Sequence, residues 1–458
     1  MTTERPKAVI VAVRLPDDDE GSFEASLVEL ERLVTTLGYR PIGRVTQTRP
    51  SLAPAAVLGE GKLLELAGLT GGSGHVGTTA PRKRHKAAEG FRAAHEADDE
   101  SDGDDENEGD DDSPGEPKVA LVAVDHEISP SQARNLERAT GVPVLDRAGV
   151  IIEIFHRHAH SREARLEVEI ARLAYTAPRL REAPGGKERQ HLRGSGDSAL
   201  ELDRRRIRDR IAELRKELAA VERERGTRRT QRKDARRVAL VGYTNAGKSS
   251  LMRGLTSSHA LVDDKLFATL DTTVRALVPE TRPRILVSDT VGFIKKLPHD
   301  LVASFQSTLD EALEASLLLL VVDASDPSFE EQLAVTLGVL AEIGAASVPS
   351  RLVMNKIDRL DGASRSELVA KYPNALFIST RDPADVARVW ENVVAFFEAS
   401  YFEAEFLVPY TRQALVSEFH ESGRVVETGY DENGVRLKFR ADAETLDRLK
   451  KKLALSSG

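Results

Sequence analysis

The chain of 458 residues has no cysteine, which excludes disulfides and thiolate metal sites and fits a reducing cytosol. It also lacks a long apolar run. Its longest runs are six residues, LLLLVV at Leu317 to Val322 among them, far short of the roughly 20 residues needed to span a bilayer as a helix. The opening MTTERPKAVIVAV has no basic stretch followed by an apolar one, so no secretory leader is expected there. A chain of this length exceeds one ordinary core, and three or four domains are expected.

The net charge of −9 is localised. Residues 71–117 hold fourteen Asp/Glu against five Lys/Arg, which leaves the remainder close to neutral. That segment contains DDESDGDDENEGDDD and almost no apolar residue. It cannot bury enough surface to offset its ordering entropy, and disorder is expected. Within it the basic block Arg82–Lys86, ahead of the acid run, reads as a loop shielded by neighbouring acid or as a nucleic-acid patch. Residues 201–237 are the opposite, with fifteen Lys/Arg against eight Asp/Glu. That excess suits either a solvated helix face or a surface for phosphates.

Apolar patterning divides the chain into four parts: 1–160, 161–235, 236–400 and 401–458. The first is an α/β domain with strands at Lys7–Val13, Arg40–Thr46 and Val119–Val124. Its helices are expected at Phe23–Leu37 and after Ser129, an N-cap ahead of Pro130. The second is a pair of long charged helices, Arg162–Tyr175 and Ala199–Gly226. Leu202, Ile207, Ile211, Leu214, Leu218 and Val221 follow the three-four spacing of an antiparallel seam. The third alternates the strands VALVG, RILVSD, LLLLVVD, SRLVMNK and ALFIS with helices. This pattern predicts a doubly wound, mostly parallel sheet with its ligand at the strands' carboxyl ends. The fourth is a small α+β domain starting near Phe406–Pro409, with Asn433-Gly434 as a hairpin turn.

The chemistry concentrates in the third part. GYTNAGKS fits G-x-x-x-x-G-K-[ST] from Gly242 to Ser249, between a predicted strand and a predicted helix. In that context the backbone N–H groups of Asn245 to Lys248 can point at phosphate oxygens, and Gly242, Tyr243, Thr244, Asn245, Ala246 and Gly247 are expected among the nucleotide-binding residues. Lys248 would reach the β/γ-phosphates and Ser249 a Mg²⁺ ion. Further on, SDTVG offers Asp289, Thr290, Val291 and Gly292. The carboxylate can hold Mg²⁺ through water, and the Gly292 amide can bond a γ-phosphate. NKID supplies Asn355 to brace the P-loop, Lys356 to cover the base, Ile357, and Asp358 to accept the N1–H and N2–H₂ edge of guanine. Adenine would leave that carboxylate unpaired, a difference worth roughly a factor of 10⁴ or more. The nucleotide indicated is GTP. In LFATLDTTV, the stretch Phe267, Ala268, Thr269, Leu270 and Asp271 reads as switch I, with Thr269 on Mg²⁺ and the γ-phosphate, and Thr272 and Thr273 as rivals. Ser379, Thr380 and Arg381 are candidates for the guanine O6 contact. Lys248, Thr269 and Gly292 are the expected catalytic groups. One residue type is missing: Phe293 stands after D-x-x-G, where many GTPases carry the glutamine that orients water. Low intrinsic turnover is expected. A small-molecule kinase is disfavoured by NKID.

The stretches GYTNAGKSSL, KLFATLDTTVR, DTVGFIKKLPHDLVASFQSTL, NKID, HEISPSQARNLE, VLDRAGVIIEIFHRHAHSREARLEVEIARLAY and ELDRRRIRDRI together resemble HflX, a family of ribosome-associated GTPases, over nearly the whole chain. The resemblance implies an N-terminal α/β domain, a helical pair, a P-loop GTPase domain and a small C-terminal α+β domain. It implies a factor that binds the large ribosomal subunit; a cytoplasmic location and a monomer are separate expectations, and the sequence does not fix the oligomeric state. It also implies GTPase stimulation by ribosomes, and splitting or rescue of stalled 70S particles under stress. The helical pair would then approach ribosomal RNA, which a basic arm binds through phosphates. A GTP-regulated switch acting on protein partners is the other reading left open. One departure is GSGDSALE, Gly194–Glu201, where the family usually has Gly-Pro-Gly-Glu-Thr-Gln-Leu-Glu.

Overall fold

A computed structural model of the chain describes residues 5–76, 119–180, 199–230, 236–257, 267, 273–295 and 306–454. The chain separates into two compact units, Met1–Ile151 and Ile152–Gly458.

In the first unit β1 (Lys7–Arg14), β2 (Arg40–Thr48), β3 (Leu121–Val124) and β4 (Val144–Asp146) form a parallel sheet in the order β2-β1-β3-β4. β1 buries its six central residues in succession, as expected of a strand covered on both faces. Helix α1 (Glu20–Thr36) begins earlier than its apolar spacing suggests. The Asp19 carboxylate accepts the Gly21 and Ser22 amides at 2.8 and 3.1 Å and so adds a turn. Helix α2 (Glu60–Thr70) precedes the acidic segment. Helix α3 (Pro130–Thr140) has the expected Ser129 cap, closed into a capping box by Gln132. The first residues of the segment expected to be disordered are packed instead. The Gly74 amide donates to the Ala139 carbonyl at 2.9 Å, so residues 71–76 belong to the core's edge; residues 77–118 lie outside the described residues. The buried Arg147 is paired with Asp125 at 2.7 Å and with Glu29.

Helix α4 (Arg147–His158) leads towards the helical pair of the second unit, α5 (Arg162–Thr176) and α6 (Ala199–Thr230). Leu166 and Ile170 of α5 pack on Leu214, with Leu173, Ile211, Leu218 and Val221 around them. Arg162 approaches Glu217 at 4.0 Å, while the field of Glu169 reaches Arg210, so the helices run antiparallel. The seam is shorter than the sequence spacing suggests. Leu202 is exposed, because α6 outruns its partner at that end.

The central sheet has the order β10-β9-β8-β5-β7-β6, built from β5 (Arg236–Gly242), β6 (Thr273–Ala276), β7 (Ile285–Asp289), β8 (Leu317–Asp323), β9 (Ser350–Asn355) and β10 (Leu376–Phe377). All neighbours are parallel except β6 with β7. α7 (Lys248–Thr256), α8 (Gln306–Leu313), α9 (Phe329–Glu342), α10 (Gly362–Lys371) and α11 (Pro383–Glu398) complete this layer. The last part is an antiparallel sheet in the order β11-β13-β12. Its strands β11 (Phe402–Pro409), β12 (Arg424–Asp431) and β13 (Gly434–Ala441) pack with α12 (Ala414–Ser422) and α13 (Ala443–Ala454) around Phe406, Phe419 and Phe439. Its hairpin turn is Glu432-Asn433, one residue earlier than expected. Asp431 pairs with Gly434 across the ladder, and its carboxylate accepts both following amides, Asn433 and Gly434, at 2.8 and 3.1 Å.

Candidate functional site: a guanine-nucleotide cradle

β5 is buried from Val238 to Gly242 and delivers the chain into a turn at the sheet's carboxyl edge. Asn245 (φ 59°) and Gly247 (φ 97°) are left-handed, the alternation that makes successive amides converge into an anion nest. Gly247 is required twice over. Besides its φ, a Cβ there would lie 2.1 Å from Asn355 Nδ2. α7 starts directly at Lys248, so its first-turn amides and positive dipole end face the same concavity.

Lys248 is buried. Its ammonium donates to the carbonyls of Gly242 and Tyr243 at 3.1 and 2.9 Å. Burial pulls its pKa down to about 8, against the opposing charge of Asp289. The Ser249 hydroxyl donates to Asp289 Oδ2 at 2.7 Å. Two hard oxygen donors thus stand together beside the lysine, the donor chemistry that suits Mg²⁺.

Asp289 ends β7, and the chain then passes under the P-loop. Thr290 turns its hydroxyl to the Leu240 carbonyl at 2.8 Å, and Val291 is buried, so both contribute to the site through backbone alone. A Cβ on Gly292 would lie 2.8 Å from Thr244 Cα and 3.0 Å from Lys248 Nζ. Only glycine lets the chain pass so close to the lysine. The Thr244 amide is already committed: it donates to the Phe293 carbonyl at 2.8 Å.

At the base-reading end, Asn355 is fully buried and braces two loops. Its Nδ2 donates to the Ala246 carbonyl at 2.8 Å, and its Oδ1 accepts the Thr380 amide at 3.2 Å. Lys356 (φ 62°) spans the Asn245 carbonyl and Asp323, both at 2.7 Å. Ile357 is a core residue. Asp358 is exposed and oriented. It accepts the Ser379 hydroxyl at 2.8 Å, which holds its carboxyl below the usual range, and Arg381 approaches at 3.5 Å. Ser379 is fixed in turn by Asp385, which accepts its amide at 2.7 Å.

Hydrogen bonds and close approaches thus bring Gly242 to Ser249, Asp289 to Gly292, Asn355 to Asp358 and Ser379 to Arg381 together at the sheet's carboxyl edge. In switch I, Phe267 is described, but Ala268, Thr269, Leu270 and Asp271 lie outside the described residues. The buried Phe267 packs edge-on against Phe155 of α4, with centroids 4.5 Å apart. Sequence reasoning missed Asp323 and Asp385, which orient the two base-side residues. Their only signals are an aspartate closing LLLLVV and another in the first turn of α11.

Three family models match in order along the chain: a GTP-binding GTPase N-terminal region (24–75 and 113–156), a GTP-binding GTPase middle region (158–232) and a 50S ribosome-binding GTPase domain (237–356). Among curated relatives, GTPase HflX of Gluconacetobacter diazotrophicus is 60% identical over 449 residues, covering 98% of both chains. GTPase HflX of Caldanaerobacter subterraneus is 35% identical over 98% of this chain and 94% of its own. That of Escherichia coli is 33% identical over 93% and 91%. With the cradle and these full-length likenesses together, the chain belongs to the HflX GTPase family.

Proposed function

We propose that this protein hydrolyses GTP while bound to the large ribosomal subunit, and that it splits or rescues stalled 70S ribosomes in the cytosol. The observation that carries the coupling is the Phe155–Phe267 contact. It ties Phe267, at the head of the switch I segment, to the helix that precedes the basic arm, and this supports coupling of the nucleotide to α5 and α6. The arm offers mostly exposed arginines on α6, suited to RNA phosphates. The 50S ribosome-binding description of the matching GTPase domain supports the same partner.

In hydrolysis, Lys248 neutralises charge on the β- and γ-phosphates, and the Gly292 amide meets the γ-phosphate. Asn355 keeps the cradle in register, and Asp358 selects guanine. Ser249 and Thr269 of switch I would hold Mg²⁺, with Asp289 reaching it through water, and the ion would supply charge stabilisation to the phosphates. Water attacks in line with the β–γ bond. Release of phosphate frees Gly292 and switch I, and the arm changes posture.

Sedimentation with purified large subunits tests this reading. The full chain with a non-hydrolysable GTP analogue is expected to co-sediment at low salt, with affinity falling steeply as salt rises. Failure to co-sediment at low salt would overturn it and favour a switch acting on protein partners.

A further inference from the structure

We infer that Tyr243 is a positioning residue for GTP hydrolysis, clamping the segment after Gly292 onto the P-loop. The inference rests on the reading of the chain as a GTPase. Tyr243 and Phe293 form a parallel β-bridge outside the main sheet. Within it the Phe293 amide donates to the Gly242 carbonyl at 3.1 Å, and the Thr244 amide donates to the Phe293 carbonyl at 2.8 Å. The tyrosine adds a third bond through its side chain. Its hydroxyl accepts the Lys295 amide at 2.7 Å. The Lys295 ammonium is itself anchored on Glu331 of α9. Tyr243, Phe293 and Ile294 are all buried, so these bonds exchange poorly with water.

The clamp gives Phe293 a role. Its amide and carbonyl splice the segment to the P-loop, and its ring is packed inside. Gly292 is the residue immediately before the splice and lies against Thr244 and Lys248. The bridge therefore sets where the Gly292 amide sits before any nucleotide arrives. GDP has no γ-phosphate and makes no use of that amide, whereas GTP and the transition state do. Loosening the clamp must then weaken GTP and slow hydrolysis while sparing GDP.

The test is Tyr243→Phe in the full chain, which keeps the buried ring and deletes the acceptor for the Lys295 amide. Equilibrium affinities for GDP and for a non-hydrolysable GTP analogue are measured beside kcat and thermal melting. Loss of one buried hydrogen bond predicts analogue binding weaker by about three- to tenfold, a comparable fall in kcat, and GDP affinity within about twofold. If both affinities fall together with a lowered melting temperature, the tyrosine is only structural and the inference is overturned. Unchanged analogue affinity and kcat overturn it equally. The wild-type protein separates the two levels, because absence of GTP binding there would sink the GTPase reading and not the clamp.

Discussion

Asn355 carries more of the cradle than its size suggests, and an isosteric substitution isolates what it does. The side chain is fully buried, donates to the Ala246 carbonyl at 2.8 Å and accepts the Thr380 amide at 3.2 Å. Asn355→Asp preserves shape and the acceptor towards Thr380, but replaces the donor with a carboxylate oxygen facing a carbonyl. Leaving one buried partner unsatisfied costs about 1–3 kcal/mol before any charge repulsion. With about 1.4 kcal/mol per tenfold, nucleotide affinity falls by roughly five- to 150-fold. The brace acts on the P-loop, so GDP and GTP should suffer equally. Titration with fluorescent GDP and GTP analogues, beside thermal melting without nucleotide, reads both effects. A GDP affinity within threefold of wild type would refute the argument, since the brace would then not support the cradle.

Two further outcomes follow from the same geometry. Asp358→Asn removes the acceptor of two guanine donors, so GTP affinity should drop by about 10² to 10⁴ and xanthine nucleotides should bind better than guanine ones; competition binding decides it, and retained guanine preference would remove Asp358 from the site. Lys248 has its pKa lowered from 10.5 to about 8 by burial, so between those values the free folded protein lacks a proton that the unfolded chain still holds. Phosphate binding then needs proton uptake, and GTP affinity should fall by up to about tenfold per pH unit above 8. Over the same window the stability of the nucleotide-free protein should rise. Flat affinity from pH 7 to 10 would contradict the burial argument.

The parts of the site that depend on local spacing were legible in the sequence. Gly242–Ser249 is contiguous, and its strand and helix neighbours announce themselves by composition. NKID lies far along the chain, yet its Asn, Lys and Asp each suggest a role by their chemistry alone. Legibility ended where the answer was a pairing between distant segments. Phe293 reads from sequence as a missing glutamine, whereas the fold uses its backbone in a bridge to Tyr243 that no side-chain pattern encodes. Asp323 and Asp385 act on residues brought near only by the sheet. Composition likewise hid the packing of residues 71–76, since Gly74 joins the core through a backbone bond. Leu202 fits the helical spacing but is exposed, because periodicity gives a face and not the length of the partner covering it.

The central claim is that this chain hydrolyses GTP in response to the large ribosomal subunit. GTP turnover of the purified full chain, with and without isolated large subunits, tests it most directly. Slow turnover alone and stimulation of about tenfold or more by the subunits is the predicted result; fast turnover alone, or none gained on the subunit despite intact GTP binding, would contradict it.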